Sequence, residues 1–207
     1  MRLRKKPHTD EKLQAFADFV TVGDVQPISN DSERKLCVEL GTGMGEFITQ
    51  IAELNPQINF IGLEVEKTCV LSAARKVREK NLSNVRLIVF DVNNITEIFG
   101  EHVIDRLYIN FCDPWPKKRH AKRRLTHIRF LEMYRQILKV GGEIFFKTDN
   151  RALFDFSLEQ FALAGMNVYD VTNDLHSNEP LENIRTEYEN KFSAQGVPIN
   201  FCRITFD

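Results

Sequence analysis

Long apolar segments are scarce in this sequence of 207 residues. The longest apolar stretches, such as Leu107–Cys112, are far shorter than the roughly eighteen residues that a membrane-spanning helix needs. The basic start, Met1–Lys6, is not followed by the apolar core of a secretory signal. These absences count against the membrane and secreted classes, and we expect a soluble, cytoplasmic protein.

Cysteine is also sparse, and its spacing shows no ligand pattern. The four cysteines stand at positions 37, 69, 112 and 202 and form no CxxC pair, and no histidines cluster at metal-ligand spacing. A disulfide framework and a zinc site are therefore not indicated. We expect buried free thiols and no bound metal.

Neither sign of charge dominates the chain. Its 28 Lys and Arg face 29 Asp and Glu, for a net charge of −1. The basic residues are nevertheless concentrated at residues 2–6 and 117–124, which predicts a local basic surface that the net charge hides. The length and the 43% hydrophobic content predict one domain over residues 1–207, with residues 1–30 as a basic tail and a short helix.

From residue 35 onward, short β-rich apolar segments alternate with segments of helical period. This alternation predicts βαβ units and an α/β fold with a mostly parallel sheet. The last two strands are expected to form an antiparallel edge, and the polar segment 173–196 between them is long enough to be functional or disordered. The predicted strands are Lys35–Leu40, Asn59–Glu64, Val85–Val89, Asp105–Asn110, Glu143–Thr148, Met166–Val171 and Ile199–Phe206.

The first predicted strand leads directly into a glycine-rich turn that precedes a helix. Its glycines, Gly41, Gly43 and Gly45, have the spacing G-x-G-x-G, whereas a dinucleotide-binding loop has G-x-G-x-x-G. Glycine permits a sharp turn and lets a ligand approach the backbone closely. An ordinary tight turn would look the same, so this loop predicts a ligand only together with other residues.

Acidic residues supply that second signal, because they follow three successive predicted strands. Glu39 ends the first strand, Glu64 ends the second, and Asp91 comes just after the third. In doubly wound folds an acid at the end of the second strand holds ribose hydroxyls. A single acid at a strand end is usually only solvated, but three beside a glycine loop indicate an adenosine-like ligand. Glu39 either accepts a hydrogen bond from a ligand ammonium group or braces the loop.

The fourth predicted strand leads into the sequence Asp-Pro-Trp-Pro at residues 113–116. The prolines restrict φ, so Asp113 and Trp115 are expected to be held in a stiff loop. Residues 117–124 follow at once, and six of these eight are Lys or Arg. A charge run is usually a solvated surface, but one attached to this loop predicts that a polyanion such as RNA lies over the site. The basic residues at 2–6 are candidates to extend the same surface.

Four segments match one family in order: Glu39–Gly45, Gly62–Val65, residues 113–124 and Thr186–Glu189. Together they resemble the bacterial tRNA (guanine-N7-)-methyltransferases, and the last two are specific to that family. The resemblance runs from about Arg2 to the C terminus. It implies a Rossmann-like class I S-adenosylmethionine-dependent methyltransferase fold, with a mostly parallel seven-stranded sheet and an antiparallel C-terminal strand. Cys112 stands where Ser or Pro is more usual, a small departure.

The implied reaction transfers a methyl group from S-adenosylmethionine to N7 of the variable-loop guanine at tRNA position 46. No metal and no obligatory protein partner are implied, and the protein is expected to be a monomer or homodimer. Asp113 is implied as the catalytic residue. The residues implied for the cofactor are Glu39, Gly41, Gly43, Gly45, Glu64, Asp91 and Asp113. Those implied for the substrate are Lys117, Asp149, Thr186, Glu187, Tyr188 and Glu189, and those for RNA are Arg119, His120, Ala121, Lys122, Arg123 and Arg124.

The chemistry of guanine N7 needs no general base, because N7 carries an in-plane lone pair and no proton. The enzyme must align the reacting atoms and accommodate the positive charge that moves onto the purine, and Asp113 is the candidate for the second task. Guanine also presents adjacent N1–H and N2–H₂ donors. We expect Asp149 and Glu189 to meet around an extruded base and accept from these donors, with Glu187 as the spare.

Two other functions fit parts of the same pattern. An amino-group methyltransferase acting on adenine or cytosine also carries an Asp/Asn-Pro-Pro-aromatic loop after its fourth strand, but here the prolines are not consecutive. An RNA-binding module on a decayed methyltransferase fold would bind RNA without methyl transfer, yet it would have no use for acids facing a polyanion. A nicotinamide oxidoreductase is disfavoured by the glycine spacing.

Overall fold

The computed structural model describes residues 8–29, 33–180 and 183–206, with the backbone but not the side chain of Glu187. The predicted tail residues Arg2, Arg4, Lys5 and Lys6 lie outside these ranges. The helices are α1 (Thr9–Gln14), α2 (Glu46–Leu54), α3 (Lys67–Glu79), α4 (Ile95–Ile98), α5 (Ile128–Ile137), α6 (Arg151–Leu163) and α7 (Glu187–Ser193). The strands are β1 (Val20–Val22), β2 (Leu36–Leu40), β3 (Asn59–Glu64), β4 (Val85–Val89), β5 (Ile104–Asn110), β6 (Leu138–Thr148), β7 (Asn167–Thr172) and β8 (Asn200–Thr205).

These strands form one sheet in the order β1-β4-β3-β2-β5-β6-β8-β7. Neighbouring strands pair in parallel from β1 to β6, whereas β8 runs antiparallel to both β6 and β7. The prediction of an α/β fold with a mostly parallel sheet and an antiparallel C-terminal strand is therefore confirmed. The sheet has eight strands rather than the seven expected.

The additional strand is β1, a three-residue strand at the edge beside β4. Val20 pairs with Leu87, and only Val20 of the three residues is buried. The sequence predicted a basic tail and a short helix within residues 1–30 and no strand there, but α1 ends at Gln14, before Val20. A strand this short gives no alternation to detect, and only its pairing with β4 defines it.

Apolar side chains cover both faces of the sheet. Leu36, Val38 and Leu40 of β2 pack in the cluster that includes side chains of α4, α5 and α6, whereas Cys37 packs with α2 and α3. All five residues of β2 are buried, as a central parallel strand requires. All four cysteines are free thiols; three of them are buried as expected, whereas Cys112 is half-buried.

The strand order brings the carboxyl ends of β4, β3, β2, β5 and β6 to one edge of the sheet, side by side. Open α/β sheets bind ligands in the crevice at this edge. The polar segment predicted at 173–196 includes a 3-10 turn, Leu175–Asn178, and α7. Within the described ranges, none of the helices is long and apolar enough to cross a membrane.

Candidate functional site

The glycine turn lies between β2 and α2, as predicted, and its three glycines have φ between +56° and +78°. Gly45 is required for packing as well, because a Cβ there would lie 2.5 Å from the Cβ of Ala73 in α3. The backbone N–H of Gly43 donates to Glu64 Oε2 at 3.0 Å, which joins the turn to the end of β3. The turn is thus fixed between two elements, with its backbone exposed to the crevice at Gly41.

Glu64, Asp91 and Asp113 line one cleft of about 610 Å³ at the carboxyl edge of the sheet. Glu64 is half-buried and also accepts from the backbone N–H of Glu66 at 2.8 Å. Asp91 is exposed, and its Oδ1 accepts from the backbone N–H of Asn93 at 2.9 Å. These three acids, all predicted from the sequence, therefore surround a space large enough for a nucleoside.

Glu39 faces an adjoining pocket of about 400 Å³ that shares Gly41, Asn110 and Phe111 with this cleft. Glu39 is only 4% exposed, and its Oε1 accepts from Asn110 Nδ2 at 3.0 Å. Glu39 Oε2 and Asn110 Oδ1 are buried without a hydrogen-bond partner among the described residues. Burial raises the pKa of the Glu39 carboxyl to about 8, although the Asn110 hydrogen bond and the Lys147 charge lower it.

Two buried acceptors that lack hydrogen-bond donors lower the stability of the fold, and a ligand that brings donors would satisfy both of them. An ammonium group carries three donors and a positive charge, so it fits Glu39 Oε2 and Asn110 Oδ1 together. This match supports the first of the two roles considered for Glu39. Asn110 was not among the predicted residues, although a polar residue ending an apolar strand is a usable signal.

The Asp113 loop is held by its neighbours as well as by its prolines. Phe111 and Trp115 have φ of 51° and 40°, which is unfavourable for aromatic residues. Arg124 donates from Nε to the carbonyl of Pro114 at 2.9 Å and from Nη2 to that of Trp115 at 3.1 Å. Its guanidinium therefore braces the loop, which differs from the predicted contact of Arg124 with RNA.

Most of the other basic residues lie in a 3-10 helix, Lys118–Arg123, whose last residue lines the cleft. Lys118, Arg119, Lys122 and Arg123 are exposed, while His120 and Ala121 are half-buried. Arg123 lies over the Trp115 ring, 4.9 Å from its centroid. The run is thus a helical surface joined to the Asp113 loop.

Arg129, which the sequence did not single out, connects this surface to the Asp91 loop. Its Nε donates to the carbonyl of Lys122 at 2.6 Å, and its Nη2 donates to Asn93 Oδ1. Asn93 Nδ2 in turn donates to Asp91 Oδ1 at 2.7 Å. A chain of hydrogen bonds therefore links the basic helix to the cleft.

The predicted substrate residues divide into two groups. Lys117 is exposed beside the basic helix, and Asp149 is half-buried at the end of β6, where its Oδ2 accepts from the Tyr188 hydroxyl at 3.4 Å. Tyr188 is 44% exposed, and its ring centroid lies 5.0 Å from that of Phe111. Thr186 is buried and caps α7, with Oγ1 accepting from the backbone N–H of Glu189 at 2.9 Å.

The position of Glu189 contradicts the expectation that its carboxylate meets that of Asp149 around a base. It is 0% exposed, its Oε2 accepts from Lys147 Nζ at 2.8 Å, and its Oε1 lies 2.8 Å from His176 Nε2. Burial alone would raise the pKa of Glu189, but the Lys147 charge and the surrounding hydrogen bonds leave it below its ordinary value. Both oxygens are engaged inside the protein, so neither faces the cleft.

The cluster around Glu189 resembles a metal site only in composition. In the part of the chain that is described, His176, Glu179 and Glu189 bring ligand atoms within 4.8 Å of one another. Glu179, however, is paired with Arg185, and Glu189 is paired with Lys147. The charges of Arg185 and Lys147 already neutralise the two carboxylates, and this disfavours the binding of a metal cation.

Solved methyltransferase structures share this fold. An antibiotic-related methyltransferase is 16% identical with a TM-score of 0.61, covering 100% of this chain and 96% of that one. A methyltransferase from Streptococcus mutans, solved in complex with SAH, is 13% identical with a TM-score of 0.55, covering 98% of this chain and 99% of that one. At these identities the likeness extends to the fold alone.

Sequence comparisons are more specific. The family model described as "Putative methyltransferase" matches residues 33–202. A tRNA (guanine-N(7)-)-methyltransferase from Macrococcus caseolyticus is 47% identical, and one from Oceanobacillus iheyensis is 43% identical, each over 100% of both chains. Full-length identity of this degree, on the fold and site described above, shows that the chain belongs to the tRNA (guanine-N(7)-)-methyltransferase family.

Proposed function

We propose that this protein transfers the methyl group of S-adenosylmethionine to N7 of guanine in tRNA, at position 46 of the variable loop, and forms N7-methylguanosine. The observation that carries the proposal is the junction at Asp113. On one side of that loop lies a cleft lined by acids suited to an adenosine ligand, and on the other lies the exposed basic helix Lys118–Arg123. A polyanion bound to the helix therefore passes over the cleft.

The cofactor site is assigned residue by residue. Glu39 and Asn110 hold the ammonium group of the methionine moiety, since their free acceptors match its donors. Glu64 accepts from the ribose hydroxyls, and Asp91 accepts from the adenine amino group. When bound, S-adenosylmethionine supplies a methyl group on a positively charged sulfur. No metal contributes to this chemistry.

Asp113 stabilises the charge that develops on the base. It is exposed within the cleft and anchored in the loop that Arg124 braces, so the carboxylate position is set before the substrate arrives. Methylation of N7 removes no proton and leaves a positive purine ring. A fixed carboxylate beside that ring lowers the energy of the transition state by electrostatic attraction.

The base and the tRNA backbone are held by separate groups. Asp149 accepts from the guanine N1–H and N2–H₂ donors, and Tyr188, whose ring lies tilted against that of Phe111, packs beside the base. Lys117 and Thr186 border this region. Lys118, Arg119, Lys122 and Arg123 contact phosphates, which position the tRNA without specifying its sequence. The protein acts in the cytoplasm, and no partner protein is required.

Incubation with labelled cofactor and an unmodified tRNA transcript, followed by nucleoside analysis, tests this function. The expected product is N7-methylguanosine, and a transcript with adenine at position 46 should accept no label. An N6-methyladenine or N4-methylcytosine product would assign the protein to the amino-group enzymes instead. Binding of tRNA without any transfer would make it a binding module.

A further inference from the structure

Lys147 is a buried lysine whose ammonium group, among the described residues, donates only to the insertion between β7 and β8. The residue is 3% exposed, near the end of the central strand β6. Its Nζ donates to Asn183 Oδ1 at 3.0 Å, to the carbonyl of Ile184 at 2.9 Å and to Glu189 Oε2 at 2.8 Å. One ammonium group thus uses its three donors on a segment 36 to 42 residues further along the chain.

The other side of Lys147 is joined to the cofactor site. Lys147 pairs with Asn110 in the register of β5 and β6, and Asn110 donates to Glu39. The carbonyl of Lys147 accepts from the backbone N–H of Phe111 at 2.9 Å, and the Phe111 ring lies against Tyr188. Lys147 therefore stands where the residues assigned to the cofactor meet the segment assigned to the base.

Glu189 completes this arrangement from within α7. Its backbone N–H is capped by Thr186, and its carboxylate is held by Lys147, His176 and Asn183. Thr186 and Tyr188, which lie three residues and one residue before Glu189, are among the residues that line the pocket beside Glu39. A seven-residue helix is too short to be stable alone, so its position depends on such attachments.

We propose that Lys147 is a positioning residue: its buried ion pair with Glu189 holds Thr186 and Tyr188 against the cofactor cleft, and Glu189 acts through this pair rather than on the base. The inference rests on the proposed function in one respect, which is that Thr186 and Tyr188 hold a guanine of tRNA. The pair itself is a property of the fold and can be tested separately.

Three variants separate positioning from contact: Lys147→Met, Glu189→Gln, and the two combined. Lys147→Met leaves a carboxylate buried without its cation, which is the most damaging arrangement. In the double variant no unpaired charge is buried, because the Glu189 carboxylate is replaced by a neutral amide of similar shape. We therefore expect the double variant to be more active than Lys147→Met alone.

The measurements are kcat and KM for an unmodified tRNA transcript, the Kd of S-adenosylhomocysteine, and hydrogen exchange of the amides in residues 183–193. Lys147→Met should lower kcat/KM for tRNA roughly 30-fold or more and accelerate exchange in that segment, since a broken buried pair is costly. The double variant should recover most of both losses. Binding of S-adenosylhomocysteine that persists in every variant shows that the fold is intact, although both variants that lack Lys147 should bind it more weakly, because the Lys147 charge lowers the pKa of Glu39.

A matched control lies in the same strand. Lys139 pairs with Asp105 at 2.9 Å near the opposite end of β6 and is 38% exposed, so Lys139→Met should leave kcat/KM within about twofold of the parent. The proposal is overturned if the double variant is no more active than Lys147→Met, which would mean that a charge touches substrate. It is also overturned if exchange in residues 183–193 is unchanged in Lys147→Met. A parent enzyme that makes no N7-methylguanosine would refute the proposed function but leave the exchange result to decide the pair.

Discussion

Cofactor binding should release a proton, because burial raises the pKa of the carboxyl that we propose holds the ammonium group. The pKa of Glu39 is raised to about 8, and burial is the largest cause. A cationic group beside Glu39 Oε2 favours the ionised form and returns the pKa toward its ordinary range. As pH falls from 8 to 6, Glu39 takes up its proton and the ammonium group loses its anionic partner.

The size of the effect follows from linkage. With a pKa of about 8 before binding and an ordinary value after it, affinity for S-adenosylhomocysteine should rise roughly 20-fold between pH 6 and pH 7.5. At pH 7 binding should release roughly 0.8 proton, because about nine carboxyls in ten lose a proton while about one ligand amino group in ten takes one up. An upper limit of pH 7.5 keeps most of the ligand amino group protonated.

Isothermal titration calorimetry in two buffers of different ionisation enthalpy measures both quantities. Glu39→Gln should weaken binding and abolish the proton release, whereas Glu64→Gln should weaken binding at every pH and keep the dependence, since Glu39 is intact. A parent protein that binds without releasing a proton, and with the same affinity at pH 6 and 7.5, would refute this reasoning. Glu39 would then only brace the glycine turn.

Three other changes probe the remaining parts of the site. Asp113→Asn should lower single-turnover methyl transfer roughly 100-fold while the Kd of S-adenosylhomocysteine changes only a few-fold, and retention of the parent rate would contradict its electrostatic role. Replacing Lys122 and Arg123 together by Ala should reduce the log–log salt slope of tRNA binding by about 1.4 to 1.8, and an unchanged slope would make them a solvated surface. Arg129→Met should weaken binding of both tRNA and S-adenosylhomocysteine by about three- to tenfold, since it frees Asn93 from the basic helix. Loss of only one affinity would show that the two surfaces are independent.

Periodic and local features were readable from the sequence. The alternation of strands and helices predicted the parallel sheet, and parallel strands necessarily place their carboxyl ends at one edge. Glu64 and Asp91, each at or just after a strand end, therefore had to face the same crevice as the glycine turn. The sequence likewise predicted that the Asp113 loop and its basic run adjoin this crevice, because they follow β5 without an intervening element.

What the sequence by itself determined is thus the order of elements and the acids at the strand ends, because these depend on local spacing alone. Only the tertiary structure decided which neighbouring polar residues turn inward. Arg124 and Arg123 are adjacent in one basic run, yet Arg124 braces the carbonyls of the Asp113 loop while Arg123 is exposed. Glu189 was indistinguishable from a substrate-facing acid until Lys147, 42 residues earlier, was found 2.8 Å away. α7 is too short for a period to mark its buried face, and a pairing over that distance leaves no local pattern.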